Sequence, residues 1–277
     1  MKGCVYIGPA GWSYPDWEGV VYPPPIVRRR AQLGWIAAHF NLVEINTSFY
    51  RIPAIQIVRH WLASVAFRPD FRFSVKLFRN FTHARDLDPG AVTAVSSILE
   101  EIHHAGRLGC VLVQFPWSFK CVRQDKIYLH KLIRTFHHFP LALEIRHRSW
   151  DIPEFYRYLQ EQKVAFCNID QPVIGPSIPL THHVTAPHAY LRLHGRNSKA
   201  WFAANAGRDE RYNYLYDHHE IGELAETAAH MVERVDELYI VTNNHYRGKA
   251  VLNAGQLAER LLPGYTDNLG LKEEDVR

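Results

Sequence analysis

Leu141-Ala142-Leu143-Glu144-Ile145-Arg146 alternates large apolar residues with small or charged ones. Successive side chains of a strand point to opposite faces, so Leu141, Leu143 and Ile145 share one face while Ala142, Glu144 and Arg146 share the other. The same split recurs outward along the chain. Val43 and Ile45 leave Leu42, Glu44 and Asn46 opposite them, and Phe71, Phe73 and Val75 leave Arg72, Ser74 and Lys76. Leu191 and Leu193 leave Tyr190, Arg192 and His194, and a fourth run points Cys110, Leu112 and Gln114 one way. A closed barrel explains the pattern: the apolar side packs on helices and the charged side points into the barrel.

The full set of strand candidates is Cys4–Gly8, Leu42–Asn46, Phe71–Lys76, Gly109–Phe115, Leu141–Arg146, Val164–Ile169, Tyr190–His194 and Leu238–Asn243. Amphipathic stretches lie between most of them: Arg28–Phe40, Ala54–Val65, Pro89–Ala105, Gln124–His137, Ile152–Gln162 and His218–Val235, with Ala254–Leu262 after the last. Such alternation predicts right-handed βαβ units and a parallel sheet. The length of 277 residues suits one (β/α)8 barrel of the TIM type, which takes roughly 250. The expected organisation is a single domain over 1–262 with a polar tail over 263–277. Asp170–Pro187 is proline-rich without a helical period, so the sixth helix is expected to be missing or short. Gly195–Asp217 is long, aromatic and polar, as a functional loop would be. No GxGxxG follows the first strand, which weakens a dinucleotide-binding fold.

Composition narrows the class. Hydrophobic residues make up 47% and charged residues 22%, which is globular rather than disordered. Cys4, Cys110, Cys121 and Cys167 are scattered without a CxxC pair and read as reduced thiols. No apolar run is long enough for a membrane span, and the N-terminus lacks a charged-then-apolar leader, so a cytoplasmic location is expected. The formal charge of +4 suits an anionic small molecule better than a strongly basic nucleic-acid face.

Charges are rarely buried unless paired, so Glu44 and Glu144 are expected to face Arg72, Lys76, Arg146 or Arg192. One reading is a structural ion-pair network. The other is a site at the strand C-termini, where barrel active sites sit. Four cations against two carboxylates point to an anionic ligand. Glu44, Glu144, Asp170 and His194 also suggest a divalent cation, which the surrounding Arg and Lys oppose. The adjacent histidine pairs do not share a helix face and read as surface residues. Trp12, Tyr14, Trp17 and Tyr22 suit either a stacking wall for a base or sugar or a structural cap over the rim. The Gly8-Pro9-Ala10-Gly11 turn offers backbone N–H groups to an anion only weakly.

In these segments the chain resembles the YecE-like family, catalogued as domain of unknown function 72, from about Tyr6 to Leu262. The resemblance rests on Gly8 to Tyr14, Val43 to Tyr50, Phe73 to Lys76 with Thr82-His83, and Val113 to Pro116. It continues through Glu144 to His147 with Ser149-Trp150, Leu191 to Arg196, and Asn243 to Ala250. Departures are Pro9-Ala10 where Thr-Ser is more usual, the order of Thr47-Ser48, and Thr242 where an aromatic is usual. The resemblance implies a TIM barrel and selects Glu44, Asn46, Lys76, Gln114, Glu144, Arg146, His194 and Asn243. It implies no particular reaction.

The leading expectation is a hydrolase or lyase acting on a phosphorylated or other anionic substrate without cofactor or metal. Glu144 serves as general base or acid, with Glu44 beside it and His194 as a second proton carrier. Lys76, Arg146 and Arg192 hold the anion; Gln114, Asn46 and Asn243 orient it, with Tyr50 and Trp12 as further contacts. The second reading is nucleic-acid binding or processing, metal-dependent in one version. There Trp12, Tyr14 and Trp17 stack bases, and Arg196, Lys199, Arg208 and Arg211 meet phosphates. A third reading is a barrel retained as a non-catalytic binding protein. No membrane partner is expected.

Overall fold

The structure, a computed structural model, describes residues 3–24, 26, 29–198 and 208–277. The strands are β1 (Cys4–Pro9), β2 (Leu42–Ile45), β3 (Arg72–Lys76), β4 (Leu108–Gln114), β5 (Leu141–Glu144), β6 (Ala165–Asp170), β7 (His188–Leu193) and β8 (Glu237–Thr242). Among the described residues they form one eight-stranded sheet in the order β1-β8-β7-β6-β5-β4-β3-β2. Every neighbouring pair is parallel. The seam between β1 and β2 is narrower than a ladder. It is held by a bridge pairing Ala10 with Glu44 and by the Gly11 amide donating to the Glu44 carbonyl at 2.9 Å. Asn41 completes it, accepting from the Ile7 amide at 2.8 Å and donating to the Val5 carbonyl at 2.9 Å. The result is the (β/α)8 barrel that the alternation predicts.

Helices Arg29–His39, Ile55–Ser64, Pro89–His104, Arg123–Phe136, Pro153–Gln162, His218–Val232 and Lys249–Leu261 surround it. Lys249–Leu261 is buried nearly all round, whereas others bury one stripe. In Arg123–Phe136 the stripe is Leu129, Leu132, Ile133 and Phe136, spaced for one helical face. Asp217 starts His218–Val232 with a reciprocal capping box through Glu220. No helix occupies 171–187, in line with the proline-rich reading.

Strand parity separates two cores. Val43, Phe73, Val75, Leu143, Leu191 and Leu193 join the outer cluster beneath the helices. Leu42, Cys110, Leu112, Ala142, Tyr190 and Tyr239 join an inner cluster filling the barrel. Tyr6 stacks on Tyr239 with ring centroids 5.2 Å apart, closing the N-terminal end. Parity gives a face but no depth, and Arg72 shows the difference. It begins β3 at that same end, its guanidinium 5.4 Å from the Tyr6 ring centre, and so stands apart from the C-terminal site.

The structure bears on two further expectations: the polar tail, and the choice between a wall and a cap for the aromatic segment. The stretch 263–277 is not wholly peripheral, because Leu269, Leu271 and Val276 are buried in the outer cluster. The aromatic segment after β1 is a cap on the rim. Trp17 and Tyr22 are buried, the Trp17 indole donates to the His245 carbonyl at 2.7 Å, and the Tyr22 hydroxyl donates to the Trp12 carbonyl. No helix of the described residues is long and apolar enough to cross a membrane.

The β1–β2 seam has no room for a side chain at Gly8, whose Cβ would lie 1.8 Å from the Leu42 carbonyl oxygen. Gly8→Ala should therefore cost about 1–3 kcal/mol or more in urea unfolding, as overpacking does. Gly34→Ala, in a helix and 3.7 Å from its nearest neighbour, should be neutral or gain up to about 1 kcal/mol.

Candidate functional site

Four strands, β2, β3, β5 and β7, deliver charge to one level of the barrel. Glu44 is the penultimate residue of β2, Glu144 ends β5, and Arg192 comes from β7 with its side chain 2% exposed. Arg192 donates Nη2 to Glu44 Oε1 at 2.7 Å and Nε to Oε2 at 3.0 Å. Its Nη1 donates to Glu144 Oε2 at 2.9 Å, and its Nη2 also reaches Asn243 Oδ1 at 3.2 Å. Tyr190 caps the pair from below, its hydroxyl donating to Glu44 Oε2 at 2.8 Å and lying 2.7 Å from Ser74 Oγ. The planar fork of an arginine suits this double role, which a lysine could not fill.

Glu144 takes a second arginine. Arg146 donates Nε and Nη2 to Glu144 Oε1 at 2.9 and 2.7 Å, and its side chain is 15% exposed against the 2% of Arg192. Burial by itself would push the Glu144 carboxyl up, but Arg146, Arg192 and His194 together hold it well below the usual range. His194 Nε2 lies 3.3 Å from Glu144 Oε1 while Asn243 Nδ2 lies 2.9 Å from His194 Nδ1. The neutral Nε2–H tautomer satisfies both contacts. Burial takes this imidazole from 6.5 to about 3 against the pull of Glu144.

This pairing alters the roles expected of several residues. Glu144 is held as a carboxylate of low basicity, a poor general base or acid at neutral pH. Arg192 is consumed by Glu44, Glu144 and Asn243 and does not reach the mouth. The remaining cations are Arg146 and Lys76, not four. Asp170 does not join Glu44 and Glu144 as a metal ligand. It accepts Arg196 Nε at 3.1 and 3.0 Å and the Tyr216 hydroxyl at 2.6 Å. Among the described residues no group of three or more His, Cys, Asp or Glu side chains is arranged for a metal ion. Arg196, expected to meet phosphates, is further bound to Glu220 at 3.0 Å. Arg211 is exposed, whereas Lys199 and the Arg208 side chain lie outside the described residues.

Lys76, at the end of β3, is treated differently from every other cation here. Its Nζ stands 4.1 Å above the Phe49 ring and makes no hydrogen bond or ion pair among the described residues. Burial and then Arg192 take the amine from 10.5 down to about 7, with Arg146 assisting and Glu44 and Glu144 opposing. The β2–β3 register ends with Ile45 paired to Val75; Lys76 is the last residue of β3, while Asn46 has left β2 and begins the short helix Thr47–Tyr50. Ser48 ties the two strand ends together by contacting the Ile45 and Lys76 carbonyls at 2.9 and 2.6 Å. Asn46 Oδ1 is buried without a partner, and the Gln114 amide, beside Glu144 in register, has none among the described residues.

Trp12 is nearly buried and packs edge-on against Trp61 at 5.5 Å in the outer core, away from the charged level. Tyr50 is 56% exposed beside Phe49. Tyr212 is the site residue that strand patterns do not reveal. It belongs to the long loop, lies 6.1 Å from His194 and 5.2 Å from His245 by ring centres, and interacts with Arg146. The aromatic, polar composition of that loop is the signal that points to it.

Residues 6–273 match the model for "Protein of unknown function DUF72". The UPF0759 protein YunF of Bacillus subtilis is 30% identical over 276 residues, covering 93% of this chain and 94% of that protein. The UPF0759 protein YecE of Escherichia coli K12 is 28% identical over 67% of this chain and 63% of that one. Among solved structures, a DUF72 family protein of Thermotoga maritima superposes with TM-score 0.82 at 35% identity, covering 92% of this chain and 98% of that one. A second, from Enterococcus faecalis, gives 0.83 at 28% identity, with 97% and 99% covered.

Two outcomes follow from the pairing. Arg192→Met leaves two carboxylates buried without their shared cation and should cost about 3–5 kcal/mol in urea unfolding. His194 stays neutral in the fold while its unfolded form takes up a proton below 6.5, so stability is lost as pH falls from 6.5 toward 3. Between pH 7 and 5 this amounts to about 2 kcal/mol, and His194→Asn should remove that share when urea midpoints are compared at the two pH values.

Proposed function

The chain belongs to the DUF72 family, and from that premise we propose that it is an enzyme moving protons on a small anionic substrate at the barrel mouth. The observation that carries this reading is the amine of Lys76 at the end of β3, which makes no hydrogen bond or ion pair among the described residues. Asn46, just after the adjacent β2, has a buried side-chain oxygen without a partner among the described residues; leaving such a group unsatisfied costs stability, and sites that tolerate the cost commonly use it. An amine near 7 can take a proton and return it at neutral pH, which Glu144 and His194 cannot.

The charge balance names the substrate class. Arg146 and Arg192 offset Glu44 and Glu144, so the site is balanced with Lys76 as the free amine and becomes cationic when Lys76 takes the substrate's proton. A carboxylate or phosphate is held by Arg146, the less buried arginine, with Gln114 and Asn46 as orienting hydrogen-bond groups. Asn243 positions His194, and Glu44 positions Arg192. Lyase chemistry, with proton removal beside a carboxylate, and hydrolysis of an ester both fit these groups; hydride transfer does not. The proton chemistry requires no cofactor or metal. Trp12 and Trp17 are buried and Arg196 is already paired, so little favours nucleic acid.

The test is a turnover screen of phosphate esters, hydroxy acids and sugar phosphates in the presence of a chelator. Activity should rise as pH passes upward through about 7, and Lys76→Gln should lower kcat about 10²-fold or more. Unchanged activity of exposed Arg211→Gln is also expected. Full activity in Lys76→Gln would refute the reading.

A further inference from the structure

We propose that Lys76 condenses with the carbonyl carbon of an anionic aldehyde or ketone to form a covalent imine in the barrel mouth. This rests on the reading of the mouth as an anion site and adds what the amine does there. Three features set Lys76 apart from a charge that merely holds a ligand. First, its Nζ lies on the face of Phe49 rather than against a carboxylate, and a desolvated amine beside other cations is the environment that activates lysine as a nucleophile. Second, the carboxylates that would otherwise pin it are occupied: Glu44 by Arg192 and Tyr190, Glu144 by Arg146 and Arg192. Third, Asn46, just after the adjacent β2, has a buried side-chain oxygen without a partner among the described residues.

The groups around the amine favour the product as well. Glu44, Glu144, Arg146 and Arg192 surround it from β2, β5 and β7 and the residues after them, with His83 and Arg79 on the segment after β3. His83, edge-on to Phe49 at 5.1 Å, adds no charge because its partial burial and Lys76 take it to about 4. The neutral lysine amine attacks the carbonyl carbon, and the carbonyl π electrons move to oxygen, which takes a proton from the newly cationic nitrogen to give a neutral carbinolamine. Its hydroxyl takes a proton from solvent and leaves as water while the nitrogen lone pair forms the C=N bond, and the nitrogen keeps its remaining proton as a protonated imine. One neutral amine, one carbonyl and one proton become one iminium and one water, so charge and atoms balance without an oxidant or reductant. Positive charge is then at the nitrogen and is balanced by the substrate's own anionic group, which Arg146 holds. The iminium then withdraws electrons from a neighbouring carbon, which is the use a lyase makes of it.

The experiment incubates the protein with pyruvate or with glyceraldehyde 3-phosphate, adds sodium borohydride, and maps the reduced adduct by peptide mass. Phosphate binding to the same preparation is measured by calorimetry. An adduct on Lys76 about ten-fold above any other lysine, suppressed by excess phosphate and missing from Lys76→Arg, is expected. Labelling by pyruvate alone identifies a carboxylate-bearing substrate, and labelling by the phosphorylated aldehyde alone identifies a phosphate-bearing one. Phosphate binding with no adduct on Lys76, or adducts spread evenly over surface lysines, overturns the imine and leaves the proton-transfer reading. Neither binding nor adduct overturns both.

Discussion

The guanidinium of Arg192 lies between two carboxylates from opposite sides of the barrel, and the rest of the site depends on that sharing. Glu44 and Glu144 are both fully buried, and neither could remain ionised there alone. Arg192 joins them with contacts of 2.7 and 2.9 Å, so β2, β5 and β7 are tied across the interior as well as around the wall. Tyr190 below and Asn243 above use the remaining hydrogen-bonding positions of the unit. Such a unit adds little net stability over an apolar core, but removing one member is costly. It fixes directions rather than supplying energy.

That fixing orders the barrel by depth. Tyrosines and small apolar side chains fill the N-terminal half, the Glu44–Arg192–Glu144 unit forms a floor, and Lys76, Asn46 and Gln114 stand at the strand ends near it. The floor consumes its own charges, which makes Glu144 a weak base and leaves His194 neutral. It also leaves the Lys76 amine facing two arginines without a carboxylate of its own. A strongly paired structural unit thus produces a weakly paired amine beside it. The loop after β7 reaches the same place through Tyr212 and is anchored by the Asp170–Arg196–Tyr216 contacts.

Much of this was legible from residue alternation. Leu191 and Leu193 announced that Arg192 and His194 point inward, and Leu143 and Ile145 did the same for Glu144 and Arg146. Parity is a two-valued signal, however. It could not separate Arg72 at one end of β3 from Lys76 at the other. Nor could it say which acid takes which base, because Glu44 and Arg192 are 148 residues apart and meet only when the barrel closes. The expected roles of Glu144 and Arg192 changed for that reason. Trp12 and Trp17 read equally well as a wall or a cap, since aromatic composition does not distinguish a ring facing a cavity from one facing the core. Tyr212 has no periodic neighbours to place it.

The most direct measurement is an NMR pH titration of the Lys76 side-chain amine, assigned by its disappearance in Lys76→Arg. The expected midpoint is about 7, reached chiefly because burial penalises the charged amine, with Arg192 adding to it and Glu44 and Glu144 opposing. A midpoint near the ordinary 10.5 would mean that Lys76 is a well-paired or well-hydrated ammonium. Proton transfer and imine formation at neutral pH would then both lose their basis.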